Sequence, residues 1–401
     1  MPPHPRRQPA WLLRLHVLTL LVVTATSAVR PMVAYRALEL GAGPAQLGIV
    51  AGSWSLLSLF LAVPLGRLVD RRDEWSLVLA GTVGMTLLSA LLLLADSLLV
   101  LGSAYALLGL SMLMNGIGIQ ALHGNRGDTV QRDRGYGAMT VMGSLGQMIG
   151  PALAGWVATG AGLSSVFLLG SLASAAGSLV VLPHLRHRRR HGVATTEDAA
   201  TPRPPMLRVV RSVVRIPSVP HAMVASLTVL ASIDILTAYL PALGEAQGIP
   251  VATVSMLLTV RAGLSLASRL LMTPLLRRFG RRWLLGASIA LPAVALLALP
   301  STTSTAALVA IMAIAGFGLG LGQPLSLTWV ASRVPANIRG TALGLRLTGN
   351  QFGQLAIPAG VGLVAGGTGI GGVFLVIGCT LAVSCGLVAR SPFTEDPIAA
   401  D

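Results

Sequence analysis

The sequence predicts an all-α membrane protein with twelve transmembrane helices, arranged as two six-helix bundles related by pseudo-two-fold symmetry. Three observations support this prediction. Hydrophobic residues make up 53% of the 401 residues and charged residues only 11%, which is too little polar surface to cover a soluble globule. The hydrophobic residues are grouped in stretches of about twenty, the length that crosses a hydrocarbon core. Finally, the second half of the chain repeats motifs of the first half.

The hydrophobic stretches come in two sets of six. The first set covers residues 12–35, 45–66, 76–96, 99–121, 136–158 and 163–183. The second set covers residues 218–240, 251–272, 283–303, 306–330, 341–364 and 370–390. The predicted domains are therefore an N-terminal bundle at 1–183, a linker at 184–217, a C-terminal bundle at 218–390 and a tail at 391–401.

The positive charges predict the orientation in the membrane. All 29 Lys and Arg residues are arginines, and they cluster in the loops that follow even-numbered stretches, as at Arg67, Arg126, Arg277 and Arg333. Basic residues accumulate in cytoplasmic loops. We therefore expect a multi-pass protein of the inner (plasma) membrane with both termini in the cytoplasm. The formal charge of +15 then reflects a membrane face, and we expect no nucleic-acid partner.

The first hydrophobic stretch also has features of a secretory signal. Arginines precede it, and it ends in the small residues Thr26, Ser27 and Ala28. However, in the internal repeat it pairs with residues 221–241, so its removal would unbalance the two halves. We expect it to be retained as the first helix.

The internal repeat is clearest at residues 137–155, GAMTVMGSLGQMIGPALAG. Gly146, Gly150 and Ala154 recur every four residues, which places small side chains on one helix face and lets a neighbouring helix approach closely. Pro151 removes one backbone hydrogen bond and favours a kink. Six residues of this stretch return 207 positions later, since 137 + 207 = 344. They are Gly137, Gly146, Gln147, Pro151, Ala152 and Gly155, which return as Gly344, Gly353, Gln354, Pro358, Ala359 and Gly362.

The sequence does not support an enzyme. The histidines lie in loops or at cytoplasmic helix ends, no nucleophile, base and acid converge, and no phosphate-binding glycine-lysine loop is present. Cys379 and Cys385 are six residues apart and so do not share a helix face, which argues against a disulfide or a metal site. We expect no cofactor and no metal.

This architecture resembles the major facilitator superfamily over nearly the whole chain. Residues 66–72, GRLVDRR, resemble the first part of a cytoplasmic signature of that family, whose usual ending is replaced here by Asp73-Glu74-Trp75. The resemblance implies that Gly66, Asp70 and Arg71 form a cytoplasmic gate, in which Asp70 engages the start of the eleventh helix near Gly340. The alternative is a solvated turn with alternating charges.

The glycine-rich stretch resembles the fifth-helix signature of antiporters in that family. The matching positions are Gly137, Gly146, Gly150, Pro151, Ala154 and Gly155, of which only Ala154 departs from the pattern. This resemblance implies the drug:proton antiporter branch, in which a drug or metabolite is expelled in exchange for protons. The alternative is a packing helix of a kind that importers share. The fourth helix departs from the antiporter pattern, because Met112 stands where an arginine is usual.

One acidic residue, Asp234, falls well within a hydrophobic stretch, and Arg261 lies at a compatible depth in the next one. Ionisable groups inside a membrane are costly, so a functional role is the default. We expect the two to pair, with Asp234 taking up a proton and Arg261 tuning its proton affinity. The alternative is a static ion pair that fixes helix register. Arg30 lies near the outer end of the first helix, where we expect it to snorkel to the surface. The alternative is that it lines the outer vestibule.

Polar residues predict a central cavity. Arg346, Asn350 and Gln354 form a stripe on one face of the eleventh helix, which should face water or protein. The predicted substrate cavity consists of Asn115, Gln147, Gln323, Arg346, Asn350 and Gln354. The alternative is helix packing through side-chain hydrogen bonds. Arg346 would suit an anionic substrate and not a lipophilic cation.

Together these features predict a secondary active transporter that works by alternating access. The favoured function is a proton-coupled exporter of a small molecule or drug. The alternative is a proton-coupled importer of a small metabolite such as an organic acid. The expected partners are the small-molecule substrate, protons and the lipid bilayer, and we expect the protein to act as a monomer.

Overall fold

The described part of the chain is helical throughout its regular secondary structure. The architecture comes from a computed structural model that describes residues 10–71, 74–125, 129–188, 215–216, 219–334 and 339–390. Most of the predicted linker and all of the predicted tail lie outside these residues. The α-helices are α1 (Ala10–Glu39), α2 (Pro44–Arg71), α3 (Glu74–Leu91), α4 (Leu98–Gly124), α5 (Thr129–Ala161), α6 (Leu163–Arg188), α7 (Val219–Ala246), α8 (Val251–Leu270), α9 (Met272–Ala298), α10 (Thr305–Arg333) and α11 (Arg339–Ala389). Two short 3₁₀ turns, Leu92–Leu94 and Leu299–Ser301, follow α3 and α9.

Each predicted membrane-spanning stretch overlaps one of these helices. The last two stretches, 341–364 and 370–390, both fall in α11, which turns at Gly369, where φ is 75°. Glycine adopts a positive φ without the steric penalty of a side chain, so the chain changes direction there between two helical segments, 339–368 and 370–389. Gly280, also at φ 75°, turns α9 in the same way.

Ten helices in the described part of the chain are long and apolar enough to cross a membrane. The protein is therefore a multi-pass membrane protein. Helix α5 is not among the ten, because its glycines, Gln147 and Pro151 lower its mean hydropathy. Residues Ala342–Ala389 of α11 are counted as one of the ten helices, although the chain turns within them at Gly369. The number of twelve crossings therefore stays a prediction.

Residues 207 positions apart make equivalent contacts within the two halves. A Cβ atom on Gly109 of α4 would overlap the backbone of Trp54 on α2, and the Ser58 hydroxyl donates to the Gly109 carbonyl at 3.4 Å. Adding 207 to these positions gives Gly316, Arg261 and Ser265. A Cβ atom on Gly316 would lie 2.8 Å from the Arg261 Cα, and the Ser265 hydroxyl donates to the Gly316 carbonyl at 2.7 Å. This close packing requires glycine at both equivalent positions.

In the described part of the chain the two halves meet mainly along α1 with α7, α2 with α11, and α5 with α8, and α2 also contacts α7. Equivalent glycines lie in two of these contacts. A Cβ atom on Gly155 of α5 would lie 3.6 Å from the Cα of Ala252 on α8, and one on Gly362 of α11 would lie 3.3 Å from the Cα of Ala45 on α2. Because 155 + 207 = 362 and 45 + 207 = 252, the two contacts join equivalent pairs of positions, with the two halves exchanged.

The contact between α2 and α11 is tight near the start of α2, on the side predicted to be outside. A Cβ atom on Gly52 would lie 2.6 Å from the Leu355 carbonyl oxygen of α11. The hydroxyl of Tyr239, on α7, lies 3.1 Å from the carbonyl oxygens of both Pro44 and Pro358 and can donate to one of them at a time. Tyr239 therefore bridges the α2–α11 contact, which is closed on this side.

Candidate substrate cavity

A cavity of about 270 Å³ lies between the two halves, where helices α1, α2, α4, α5, α7, α8, α10 and α11 converge. Its polar and charged lining consists of Thr26, Ser27, Arg30, Gln147, Asp234, Thr237, Arg261, Arg269, Gln323 and Gln354. This volume lies just below the range of about 300–1,000 Å³ that is usual for small-molecule sites. Gln147, Gln323 and Gln354, three of the residues predicted to form the substrate cavity, are part of this lining, and their role in binding a substrate stays a prediction.

A second cavity of about 260 Å³ adjoins the first and is lined by residues of the N-terminal half together with Arg269 of α8. It shares Gln147 and Arg269 with the first cavity, and Asn115 lines its wall with Gln120. The amide nitrogen of Asn115 donates to the Ser111 carbonyl at 3.2 Å, so this residue also supports its own helix. The two cavities therefore adjoin each other beside α5.

The main ion pair of the cavity joins Arg30 on α1 to Asp234 on α7. A guanidinium nitrogen of Arg30 lies 2.5 Å from Asp234 Oδ1, and the two side chains are 17% and 5% exposed. Arg30 Nε donates to the Tyr105 hydroxyl at 3.1 Å, and the guanidinium lies 4.7 Å from the ring centroid of Trp54. The prediction that Arg30 snorkels to the surface is therefore wrong, because an internal carboxylate and two aromatic rings hold it inside.

The predicted pair between Asp234 and Arg261 is not the one that forms. Among the described residues, the ion-pair partner of Asp234 is Arg30, and Arg261 makes no ion pair. Arg261 nevertheless lines the same cavity as Asp234 and is only 6% exposed. The internal repeat carries a signal for the correct partner. Position 27 on α1 is equivalent to position 234, and Arg30 lies one helical turn from it on the helix that faces α7.

Arg269 is the third arginine of the cavity. Its guanidinium donates to the Ser144 hydroxyl at 2.8 Å and to the Gly320 carbonyl at 3.2 Å. Ser144 lies on α5, so this contact also crosses between the halves. The sequence gives no sign that Arg269 is a cavity residue, because it lies in the last turn of α8, where arginine usually faces the membrane surface.

Arg346 and Asn350 are not among the residues that line either cavity. Arg346 is buried at 5% exposure and donates to the Gln323 side chain at 2.8 Å, to the Gln323 carbonyl at 3.0 Å and to the Ser326 hydroxyl at 2.9 Å. Asn350 accepts a hydrogen bond from the Ser226 hydroxyl at 2.9 Å. The two residues therefore hold Gln323 in position from behind the cavity wall.

The glycine pattern of α5 forms a packing face. A Cβ atom on Gly146 would lie 2.9 Å from the Thr24 backbone nitrogen, and one on Gly150 would lie 2.7 Å from the Thr24 carbonyl, both on α1. Further along, Gly155 contacts α8. Pro151 lies inside the helix and lines the cavity. The spacing of small residues thus lets α5 pack against a helix of each half.

The predicted cytoplasmic gate is only partly visible. Among the described residues, a Cβ atom on Gly66 would meet nothing within 4 Å. The structure does not describe the side chains of Asp70 and Arg71, nor that of Thr341, the residue that follows Gly340. The gate therefore stays a prediction.

Comparison with known proteins identifies the family. A model of the Major Facilitator Superfamily matches residues 15–252 and 222–399. Two crystal structures of the nucleoside transporter NupG are similar at 17% identity: a mutant form with a TM-score of 0.76, covering 94% of this chain and 98% of that chain, and a second structure with a TM-score of 0.69, covering 95% and 98%.

The crystal structure of a POT family transporter in complex with a thioalcohol-conjugated peptide is similar with a TM-score of 0.72 and 14% identity, covering 94% of this chain and 95% of that chain. Identities this low establish the fold alone. No curated protein matches the sequence. Since the family model covers most of the sequence, the chain belongs to the Major Facilitator Superfamily of membrane transporters.

Proposed function

We propose that this secondary transporter exports a small molecule in exchange for protons, as in the drug:proton antiporter branch, by alternating access. Two six-helix bundles, at 1–183 and 218–390, rock about the central cavity to expose it to either side of the inner (plasma) membrane. The contacts that repeat at a spacing of 207 residues support this arrangement. The protein acts as a monomer with both termini in the cytoplasm.

The observation that carries the proposal is the ion pair between Arg30 and Asp234. It joins the central helix of one half to the central helix of the other at the cavity wall. Protonation of Asp234 removes the negative charge and weakens the link between α1 and α7. Arg261 lines the same cavity as Arg30 and Asp234, so a change in the charge of Asp234 acts on both arginines. Proton binding and bundle movement are thereby coupled.

Closure on the predicted outer side is consistent with this cycle. Gly52, Gly362 and Tyr239 hold α2 against α11 at one end of the cavity. Gly66, Asp70 and Arg71 form the corresponding gate at the opposite, cytoplasmic end. Opening one end while the other is closed is what alternating access requires.

Transport direction is tested with a substrate found in the cell. Metabolite pools of host cells that overexpress the transporter are compared by mass spectrometry with those of cells that lack it, and export predicts lower pools inside and higher pools in the medium. The substrate so found is then offered to inside-out vesicles with an acidic lumen, where export predicts accumulation. Accumulation only in right-side-out vesicles would instead support the alternative, an importer of a small metabolite such as an organic acid.

Proton coupling is tested with Asp234→Asn in proteoliposomes. We expect this variant to lose substrate flux driven by a pH gradient while it retains exchange of substrate across the membrane without a gradient. Asp96→Asn is the matched control, because Asp96 is an exposed carboxylate in the loop between α3 and α4. Unchanged proton-driven flux in Asp234→Asn would remove Asp234 from the mechanism.

A further inference from the structure

The cavity carries more positive than negative charge. Its lining includes three arginines, Arg30, Arg261 and Arg269, and one carboxylate, Asp234. Counting one charge for each, the described lining sums to 3 − 1 = +2. Oδ1 of Asp234 binds Arg30, and Oδ2 has no hydrogen-bond partner among the described residues. Two guanidinium groups therefore face the cavity without a carboxylate partner in the described part of the chain.

Arg261 is the less satisfied of the two. It is only 6% exposed, and its Nε atom is buried without a hydrogen-bond partner among the described residues. Its backbone is held firmly, because Gly316 packs directly against the Arg261 Cα. A buried charge is costly unless it is paired, and a guanidinium is built to bind two oxygens of one anion side by side. The side chain is fixed at its base and has unused donors at its tip.

Arg269 lies two turns further along α8, about 12 Å away by helical rise. Its hydrogen bonds go to neutral oxygens, those of Ser144 and Gly320. It lines both the central cavity and the adjoining one. It therefore provides a second cationic position along the path between the cavities.

The rest of the central cavity suits an organic body. Its wall includes Val23, Met112, Leu230, Ile233 and Leu258. Trp54, the position equivalent to Arg261 in the other half, also lines the cavity, but its ring already carries the Arg30 guanidinium. A lipophilic cation would meet a wall of like charge, whereas an anion with an apolar body would match both the arginines and the apolar side chains.

We propose that the transported substrate is a small organic anion, a carboxylate or sulfonate, whose charged group binds Arg261, with Arg269 as a second docking point on its path. This proposal rests on the proposed transport function of the same cavity and adds the substrate class. It differs from the sequence expectation, in which Arg346 receives the anion. Arg346 lines neither cavity, and one of its guanidinium nitrogens donates to Gln323 and Ser326 behind the wall.

The test measures binding to the purified full-length transporter without any ion gradient. The probes are benzoate and benzenesulfonate, each compared with its uncharged counterpart, benzamide or benzenesulfonamide, by calorimetry and by thermal shift. We expect each anion to bind roughly ten- to hundredfold more tightly than its uncharged counterpart, which is the usual effect of a charged hydrogen-bonded pair. Equal binding of the charged and uncharged probes overturns the proposal.

Variants assign the effect to Arg261. In Arg261→Gln we expect the affinity for benzoate to fall roughly tenfold or more, to the level of benzamide. Arg278→Gln is the matched control, because Arg278 is exposed and stacks on its neighbour Phe279 outside the cavity. Benzoate binding that is as tight in Arg261→Gln as in the wild type excludes Arg261 as the anion site.

A second variant distinguishes a loss of anion binding from a folding defect. Arg261→Lys keeps the charge but loses the planar fork, so it should bind benzoate more weakly than the wild type and still prefer it to benzamide. A lysine variant without that preference contradicts the proposal. Since binding is measured without a gradient, a failure of proton-driven export would leave this result unaffected, and the loss of anion preference would leave proton-driven export standing.

Discussion

The strongest prediction concerns the ion pair between Arg30 and Asp234. With about 4 Å between the charge centres and an effective dielectric constant of about 20, two unit charges attract by about 4 kcal/mol. Arg30 also donates to the Tyr105 hydroxyl, and its side chain is 17% exposed, so water and a second partner compensate part of the loss. We therefore expect a coupling energy of about 2–3 kcal/mol between the two side chains.

The measurement is a double-mutant cycle with Arg30→Gln, Asp234→Asn and the double variant. The free energy of unfolding is followed by steric trapping or by denaturant titration in bicelles. The double variant should lose less stability than the sum of the losses in the two single variants. The reason is that each single variant leaves one buried charge without its partner.

The chain offers a matched control in Arg36 and Glu39, which form an exposed pair on α1 at 2.9 Å with side chains 28% and 50% exposed. An exposed helical pair of this kind contributes about 0.5 kcal/mol or less. If the coupling energy between Arg30 and Asp234 is no larger than that of the control pair, the cavity is too well hydrated for the ion pair to link the two halves.

Three further predictions follow from the contacts around the cavity. Tyr239→Phe loses the hydrogen bond across α2 and α11, worth about 1 kcal/mol, and should speed hydrogen exchange roughly fivefold in the first turns of α2; unchanged exchange would show that the hydroxyl does not hold this end closed. Gly48→Ala places a Cβ atom against the backbone of α11 and should abolish transport with normal expression, whereas Gly360→Ala, where a Cβ meets nothing within 4 Å, should leave transport intact; transport by both variants would contradict the tight closure. Arg346→Gln frees the Gln323 side chain and should weaken benzoate binding several-fold without changing the preference for benzoate over benzamide; loss of that preference would show that Arg346 contacts the anion itself.

Much of the fold could be predicted from the sequence, because hydrophobic length and arginine spacing are strong local signals. Each predicted span overlaps a described helix, and the small residues of α5 lie in helix contacts as expected. The exception is Gly369, where one glycine turns the chain between two spans without a separate loop. A turn made by a single residue leaves almost no trace in a hydropathy profile.

The site was harder to predict, because side-chain partners depend on how distant helices are arranged. Asp234 and Arg261 lie at similar depth on consecutive helices, which suggested a pair, yet the helix that faces Asp234 is α1. Arg346 lies on the expected stripe but points its hydrogen bonds at α10. Sequence spacing gives the face of a helix, whereas the neighbour of that face is decided by tertiary packing.

Trp54 and Arg261 occupy equivalent positions in the two halves of the chain. In each half a glycine on the neighbouring helix supports the backbone at this position, while the side chain lines the cavity. The nearest atom in both contacts is the main-chain carbonyl oxygen of this position, so the support depends little on which side chain projects from it. Ligand preference in such a frame can change by exchange of a single side chain, in either half, without any rearrangement of the helices that carry it. The same arrangement of helices can thus transport chemically different substrates.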